Sequence, residues 1–549
     1  MEKARILIAE KLADEGRRLL EPEFQVDVRP GLAPADLVRV IPQYDALIVR
    51  SATQVTAEVI AAGQRLRVIG RAGVGVNNID VAAATARGIV VLNVPDGNTI
   101  AAAEHTVGLM LAVARHIPQA HASLQAGRWQ RSAFEGVELR GKTLGVVGAG
   151  RIGQEVGKRC LAFGMRVLAY DPYANAETLK NLGIEQVASL SELLAQADFL
   201  TVHTPLTAQT RGLIGAAELA QMKKGSYVVN CARGGIIDEE ALYQALVEGH
   251  LAGAALDVYS KEPPGDMPLL SLPQVVATPH LGASTREAQL VNAVEVAQQV
   301  GRFLRGQPVR NAVNLPALSE RQWEQVNPLL PLAEVLGHFY TQAVGGNLNE
   351  VEVAYFGDAD GAAVDFLASA VVKGLLWQVV SEPINEVNAM AAAQRQGVKV
   401  AVTRSHPRFD LPQPYLEVRV GREPRQHRVG GTLSRFGQPR ITLVDGLPVD
   451  VSPTPYLIVS RHQDRPGIIG KFGTILGNAG INIAAMQVGR KQVRGEAIMI
   501  LAVDDAVPAG VLRELQAIPG VGDALLVTLP ANLVGAAAGS GPAQGLASA

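Results

Sequence analysis

The sequence predicts an α/β protein built on two doubly wound parallel-sheet lobes, with α+β structure after them. Three observations predict it. Short β-branched runs alternate with longer amphipathic stretches: ARILIA, DALIVRS, RLRVIGRAG and GIVVLNV, then TLGVVGAG, RVLAYD, ADFLTVHTP, SYVVNCARG, GAALDV and QVVATPH. This is the pattern of βαβ units. The two series are separated by a helix candidate from about Ile100 to Gly127, which places a cleft between two lobes, and ligands of such sheets bind at the carboxyl ends of the strands. Finally, 549 residues suffice for three or four domains, each with its own core.

Composition narrows the function classes. Hydrophobic residues make up 48% of the chain, but charges such as Glu104, Asp365 and Lys373 interrupt the apolar stretches, so no membrane span is expected. MEKARILIAE enters a strand pattern without the apolar core of a secretory signal, and the only cysteines, Cys160 and Cys231, form no disulfide framework or metal spacing. These features point to the cytoplasm and to no metal site. A formal charge of -2 with mixed signs gives no footprint for nucleic acid. Small molecules and further copies of the chain are the expected partners.

The first chemical signal is TLGVVGAGRIGQEV, a strand followed by Gly148, Gly150 and Gly153 opening a helix. The first glycine permits the tight turn, the second lets backbone amides approach a pyrophosphate, and the third allows close helix packing. Arg151 and Ile152 lie inside the motif, and 18 residues after Gly153 the next strand ends in Asp171. A carboxylate there accepts from adenosine ribose hydroxyls and repels a 2′-phosphate, which predicts NAD over NADP. Glycines serving only a packed strand–helix corner are the alternative. The second cluster, GRAGVGVNN, has Asn78 where a third glycine would stand, so it reads as a backbone loop and not as another dinucleotide site.

Polar residues then interrupt three strand ends of the second series: Arg233 in VVNCARGGIID, Glu262 in ALDVYSKEPP, shortly after its strand, and His280 in VVATPH. A carboxylate beside an imidazole orients the ring and suits it to proton exchange. Arginine is a natural fork for a substrate carboxylate. Beside a nicotinamide, these three would move a hydride between cofactor and carbon while histidine moves the proton. A surface ion pair is the alternative for Arg233 and Glu262.

VGAGRIG, HTPLT, NCARGGIIDEEAL, ALDVYSKEPP and ATPHLGAST resemble consecutive signatures of the D-isomer-specific 2-hydroxyacid dehydrogenases, and the resemblance covers residues 1 to about 314. It implies Rossmann-like lobes, with Arg233 binding the substrate carboxylate, Glu262 supporting the histidine and His280 acting as general acid/base. It also implies that His203, Thr204 and Pro205, with Cys231 and Ala232, line the nicotinamide side, and that Asp257 approaches the carboxamide. IVRSATQV and IGRAGVGVNNID are similar to stretches of the branch that acts on 3-phosphoglycerate. That similarity implies that Arg50, Ser51, Arg71, Gly73 and Gly75, with Asn98, hold the substrate's carboxylate and phosphate. Asn77 departs from the aspartate of many relatives. Trp129 and Arg131 follow the long helix that packs across a dimer axis in this family, implying a homodimer or homotetramer.

PYLIVSRHQDRPGIIGKFGTILGNAGINIAAMQVGR followed by EAIMILAVD resembles an ACT domain, a ferredoxin-like module that binds amino acids. The resemblance implies L-serine as effector, with His462, Asp464 and Asn482 at the contacting positions; Asp464 stands where relatives have asparagine. An ACT fold used only for assembly is the alternative. NEVNAMAAAQRQGV and GTLSRFGQPRITLVDGLPVD are similar to an intervening domain of the long members of the family. There Arg422, Arg425, His427 and Arg428 form either an anion site or, as the preferred reading, a solvated hairpin edge.

The expected organisation is therefore a discontinuous substrate-binding domain (1–98 with 282–314, completed by the helix after Ser284) and an NAD-binding domain (99–281). An intervening domain (315–450), an ACT domain (451–530) and a disordered alanine- and glycine-rich tail (531–549) follow. The expected activity is NAD-dependent oxidation of 3-phosphoglycerate to 3-phosphooxypyruvate, the first step of serine synthesis. The alternatives are a hydroxypyruvate or glyoxylate reductase of the same family, or an NAD-sensing scaffold.

Overall fold

The computed structural model describes residues 3–345, 348–406, 411–422 and 426–534. The chain divides into two compact units, Met1–Val94 with Val294–Ala549, and Pro95–Ala293.

The first unit begins with a five-stranded parallel sheet in the order Gln25–Val28, Arg5–Ile8, Ala46–Val49, Val68–Arg71, Val90–Leu92. Its central strands read as unbroken apolar runs because both faces are covered. Leu37, Val59, Ile60 and Ala84 of three short helices pack on one face. Val296, Ala297, Val300 and Phe303, from the C-terminal half of helix Arg286–Leu304, pack with Ile6, Ile8 and Val68 on the other. Gly70 sits beneath that helix, where a Cβ would lie 2.7 Å from the Cγ2 atoms of Val296 and Val300.

A six-stranded mixed sheet follows, Lys399–Ser405, Glu350–Phe356, Tyr415–Val420, His427–Leu433, Pro439–Val444, Leu447–Val451, with only the first pair parallel. Helices Leu330–Phe339 and Gly361–Leu376 meet closely at two glycines: a Cβ on Gly337 would lie 2.2 Å from the Val371 carbonyl oxygen, and one on Gly374 2.2 Å from that of Glu334. Between them Lys373 Nζ reaches Glu334 (3.0 Å) and Glu386 (3.2 Å). The segment after Glu386 turns to the five-stranded sheet. Asn385 Nδ2 donates to the Gly88 carbonyl (2.8 Å), Asn388 Nδ2 to that of Ala86 (3.3 Å), and Val387 enters the core beside Ile6 and Val68.

The unit closes with a four-stranded antiparallel sheet, Ile483–Arg490, Glu496–Val503, Tyr456–Gln463, Val521–Thr528. Helices Ile468–Asn478 and Ala509–Gln516 cover one face through Phe472, Leu476 and Leu515. Leu457, Val459, Ile498 and Ile500 on the other face join the core of the mixed-sheet region. Residues 531–534 of the expected tail are instead a short helix, anchored by buried Leu533; residues 535–549 lie outside the described residues.

The second unit is a seven-stranded parallel sheet in the order Val275–Ala277, Leu251–Leu256, Ser226–Asn230, Phe199–Val202, Thr143–Val147, Arg166–Tyr170, Glu185–Gln186. The single helix expected from Ile100 to Gly127 is two, Thr99–Ala114 and Ile117–Gln125, separated by His116 at φ 50°. Pro118 explains the break. It has no N–H to give the Ala114 carbonyl, and its ring would crowd that oxygen; Val137 N–H supplies the missing bond at 2.9 Å.

Gly70→Ala is expected to lower stability by about 1–3 kcal/mol through overpacking, read as an earlier urea midpoint of the unit carrying the five-stranded sheet.

Candidate active site

In the second unit, strand Thr143–Val147 ends at Gly148, whose φ of 90° favours glycine. A Cβ there would lie 2.8 Å from the His203 carbonyl carbon and from Thr204 Cγ2, and one on Gly153 would lie 2.2 Å from the Gly148 oxygen. Gly150 faces open space and precedes helix Arg151–Ala162, whose first amides have no side-chain cap. That opening, with the positive helix end behind it, suits a pyrophosphate. Ile152 packs against the unit's core, and Arg151 Nε pairs with Asp96 at 2.7 Å. Asp171 is aimed by backbone amides, Ala149 N–H donating to Oδ2 (2.9 Å) and Tyr173 N–H to Oδ1 (2.8 Å).

Two buried polar atoms beside this turn, His203 Nδ1 and Thr204 Oγ1, find no partner among the described residues. Buried polar groups are ordinarily hydrogen-bonded, so the pair fits a polar ligand. Burial pulls the His203 imidazole down to about 4, leaving it neutral at pH 7, with its Nε2 3.0 Å from Thr201 Oγ1. Pro205 is exposed at the same strand end. Burial pushes the Cys231 thiol up to about 12, so it is no nucleophile. The Asn230 side chain closes the next loop, accepting from Ala232 N–H and donating to the Arg233 carbonyl, each at 3.0 Å. The glycine turn, helix terminus and orphaned polar atoms together fit a dinucleotide.

The three expected reactive side chains stand on neighbouring strand ends of this sheet. His280 Nδ1 lies 2.7 Å from Glu262 Oε2, and Glu262 Oε1 accepts from Tyr259 N–H (3.1 Å). Both side chains remain partly exposed, which a group exchanging protons with a ligand requires. Burial pulls the Arg233 guanidinium below its ordinary value while the Glu262 charge opposes that shift, and Arg233 Nη1 donates to the Ala232 carbonyl (2.6 Å). Gly234 lets these loops touch: a Cβ there would lie 1.9 Å from the carbonyl carbon of Tyr259.

Asp257, expected at a carboxamide, directly follows strand Leu251–Leu256. It is fully buried, with Oδ1 accepting from Thr278 Oγ1 (2.6 Å) and Leu281 N–H (2.7 Å) and Oδ2 from Gly282 N–H (2.8 Å). Burial raises its pKa, but hydrogen bonds from His105, Thr278, Leu281 and Gly282 outweigh that and hold it below the usual carboxylate value. Thr278 and Tyr259 lie inside the ATPHLGAST and ALDVYSKEPP signatures, which assign them no role, and His105, one polar residue in an otherwise ordinary helix, lies outside every motif. Asn98 precedes helix Thr99–Ala114, and its buried Oδ1 has no partner among the described residues.

In the first unit, Arg50 follows strand Ala46–Val49, and Arg71 ends strand Val68–Arg71 in register with Val49. Two cations thus leave adjacent strand ends, with Ser51 exposed beside them. Glu10 accepts from the Arg50 amide (2.8 Å) and the Thr53 amide (2.9 Å). Asn78 Nδ2 donates to the carbonyls of Arg50 (2.8 Å) and Thr53 (2.7 Å), joining the Arg50 loop to the loop of Gly73 and Gly75, while Asn77 is exposed. Gly73 holds φ 148° with Arg71 lying across it, at a place where any Cβ would collide with the guanidinium.

The three expected effector residues do not converge. His462 is buried, burial lowers its pKa, and its Nδ1 has no partner among the described residues. Asp464 accepts from the Arg490 side chain and from Arg494 N–H (3.1 Å), and Arg490 holds its pKa below the ordinary value. Asn482 instead donates to Asp504 (2.7 Å). Gln463 faces Glu496 while Ile483 faces Val503, which places Asp464 and Asn482 roughly 24 Å apart along the sheet. Of the basic cluster, Arg422 pairs with Glu350 and His427 with Asp445 (3.1 Å), so carboxylates neutralise this edge; Arg425 lies outside the described residues. Trp129 is 78% exposed beside Arg131.

A family model for the D-isomer specific 2-hydroxyacid dehydrogenase NAD binding domain matches residues 107–282, one for the D-3-phosphoglycerate dehydrogenase intervening domain matches 325–445, and one for the ACT domain matches 456–520. The D-3-phosphoglycerate dehydrogenase of Synechocystis sp. is 46% identical, over 96% of this chain and 95% of that one. Those of Methanocaldococcus jannaschii and Bacillus subtilis are 44% and 42% identical, each over 96% of this chain and 100% of the relative. Among solved structures, a Thermus thermophilus protein is similar at TM-score 0.52 and 39% identity, over 56% of this chain and 99% of its own. A glyoxylate reductase from Paecilomyes thermophila is similar at TM-score 0.53 and 31% identity, over 57% and 99%. With its NAD-binding, intervening and ACT domains in this order, the chain belongs to the D-3-phosphoglycerate dehydrogenases, within the D-isomer-specific 2-hydroxyacid dehydrogenase family.

Proposed function

We propose that this chain oxidises 3-phospho-D-glycerate at C2 to 3-phosphooxypyruvate with NAD, the first step of L-serine synthesis. The observation that carries the reading is the 2.7 Å Glu262–His280 pair, with Arg233 on a neighbouring strand end of the sheet that bears the glycine turn. NAD bound at that turn supplies the hydride acceptor. Gly148, Gly150 and Gly153 leave its pyrophosphate room, with Arg151 beside it, and Asp171 accepts from the adenosine ribose. His203, Thr204 and Pro205, with Cys231 and Ala232, line the nicotinamide side, and Asp257 approaches the carboxamide.

His280 takes the proton of the C2 hydroxyl, and Glu262 stabilises the resulting imidazolium by charge and fixes the ring by its hydrogen bond. Arg233 binds the substrate carboxylate and withdraws charge from the developing carbonyl oxygen. Arg50, Ser51 and Arg71, with the Gly73 to Gly75 backbone and Asn98, serve the anionic ends of the substrate; two arginines on adjacent strand ends suit a dianion better than an unphosphorylated acid.

The expected effector is L-serine. Since Asp464 and Asn482 stand far apart in one chain, a ligand touching His462, Asp464 and Asn482 takes Asn482 from a second copy. Exposed Ile117, Leu124 and Trp129 offer a second apolar face to another copy, so we assign a homodimer or homotetramer. We place the protein in the cytoplasm; no helix among the described residues is long and apolar enough to cross a membrane.

His280→Ala is expected to cut kcat by ~10² to 10⁴ while NADH still binds, measured by initial rates and by fluorescence titration. Arg50→Gln and Arg71→Gln should each raise KM for 3-phosphooxypyruvate more than for hydroxypyruvate; equal effects would move the substrate assignment to an unphosphorylated acid. His203 titrates near 4 when folded and near its ordinary 6.5 when unfolded. As pH falls from 6.5 towards 4, the unfolded chain binds the proton first and stability drops. His203→Gln is therefore expected to shrink the loss of urea midpoint between pH 7 and pH 5.

A further inference from the structure

His105 stands on helix Thr99–Ala114, away from the Glu262–His280 hydrogen bond, with neither of those residues among its partners. Its Nε2 lies 3.1 Å from Thr278 Oγ1 and 3.2 Å from Asp257 Oδ1. The direction of these bonds follows from proton counting. The Thr278 hydroxyl has one hydrogen, and its 2.6 Å contact with Asp257 uses it. Thr278 Oγ1 is then an acceptor towards the ring, Asp257 is an acceptor everywhere, and His105 Nε2 must carry a hydrogen shared between them.

What these three residues hold is the loop that presents His280. Asp257 grips it before the histidine, through Thr278 Oγ1, and after it, through the amides of Leu281 and Gly282. Tyr259 Oη adds a bond to the Thr278 carbonyl at 2.8 Å. Between the grips His280 holds φ 54°, a left-handed conformation that costs a non-glycine residue energy and persists only where surroundings enforce it. Asp257 has no solvent to turn to, so the helix-borne donor completes its satisfaction and sets where its oxygens stand.

We propose that His105 is a positioning residue for the dehydrogenase reaction: by donating Nε2–H to Asp257 and Thr278 it fixes the left-handed loop that aims His280 at the C2 hydroxyl. This rests on His280 being the acid/base group. A displacement of the reacting group by about 1 Å costs up to ~10²-fold in rate, so the loss should fall on kcat.

The test compares His105→Ala, His105→Gln and His280→Ala in the full-length chain. For each, kcat and KM with 3-phosphooxypyruvate, the NADH dissociation constant by fluorescence, and the melting temperature are measured. His105→Ala is expected to lower kcat about 10- to 100-fold with KM and NADH affinity within about twofold, and His105→Gln, which keeps an N–H donor, to recover most of that loss. Unchanged kcat in His105→Ala beside a collapsed His280→Ala would overturn the positioning role alone. Near-normal turnover in His280→Ala would overturn the acid/base reading beneath it. If His105→Ala melts early, His105→Gln decides: a stable Gln variant with kcat as low as that of the Ala variant overturns the proposal.

Discussion

Parallel strand direction is the constraint on which the chemistry depends. In the five-stranded and seven-stranded sheets each crossover returns the chain to the same edge, so one rim collects all the loops that follow strands. Arg50 and Arg71 share such a rim in the first unit, and Gly148, Asp171, His203, Arg233, Glu262 and His280 share one in the second. Residues as far apart as Gly148 and His203 become neighbours without any loop being long. The loops are then fixed to each other by backbone: Gly234 against Tyr259, Gly148 against His203, and Asn78 bonding two carbonyls of the Arg50 loop.

Those features were legible in the sequence because each is a local demand. A glycine turn before a helix, an acid after the next strand and a polar residue at the end of an apolar run each state their requirement within a few residues. The crossing-back helix was legible too, from a helical pattern that follows the last strand of the second series, and Val296, Ala297, Val300 and Phe303 pack it on the first sheet. Pro118 announced the helix break at His116 just as locally, yet the apolar run on either side outweighed it in a reading by pattern.

What was not legible depends on register and on partners distant in sequence. The separation of Asp464 from Asn482 follows from how strands Tyr456–Gln463 and Ile483–Arg490 each register against the strand between them, Glu496–Val503, which no motif records. Asp257 sits at a strand end like the reactive residues, and its partners are distant in sequence: three donors from residues 278–282 and one from His105 surround its carboxylate. The basic hairpin shows the same lesson in charge, because Glu350, far away in the sequence, pairs with Arg422, and Asp445 across the next turn pairs with His427.

The contact of residues 385–388 with the first sheet has a consequence for how the enzyme divides into parts. Gly88 lies under the Asn385 amide so closely that a Cβ would sit 2.4 Å from its nitrogen, and Val387 is a member of the first sheet's hydrophobic core. The intervening region therefore lends a side chain to a lobe that precedes it by three hundred residues. A cut after residue 314 does not release a complete dehydrogenase; it leaves a notch in the lobe's interior and two bare carbonyls at its surface. Gly88 is what admits the strap here: its φ of 69° favours glycine, and any Cβ at that turn would press into the Asn385 amide.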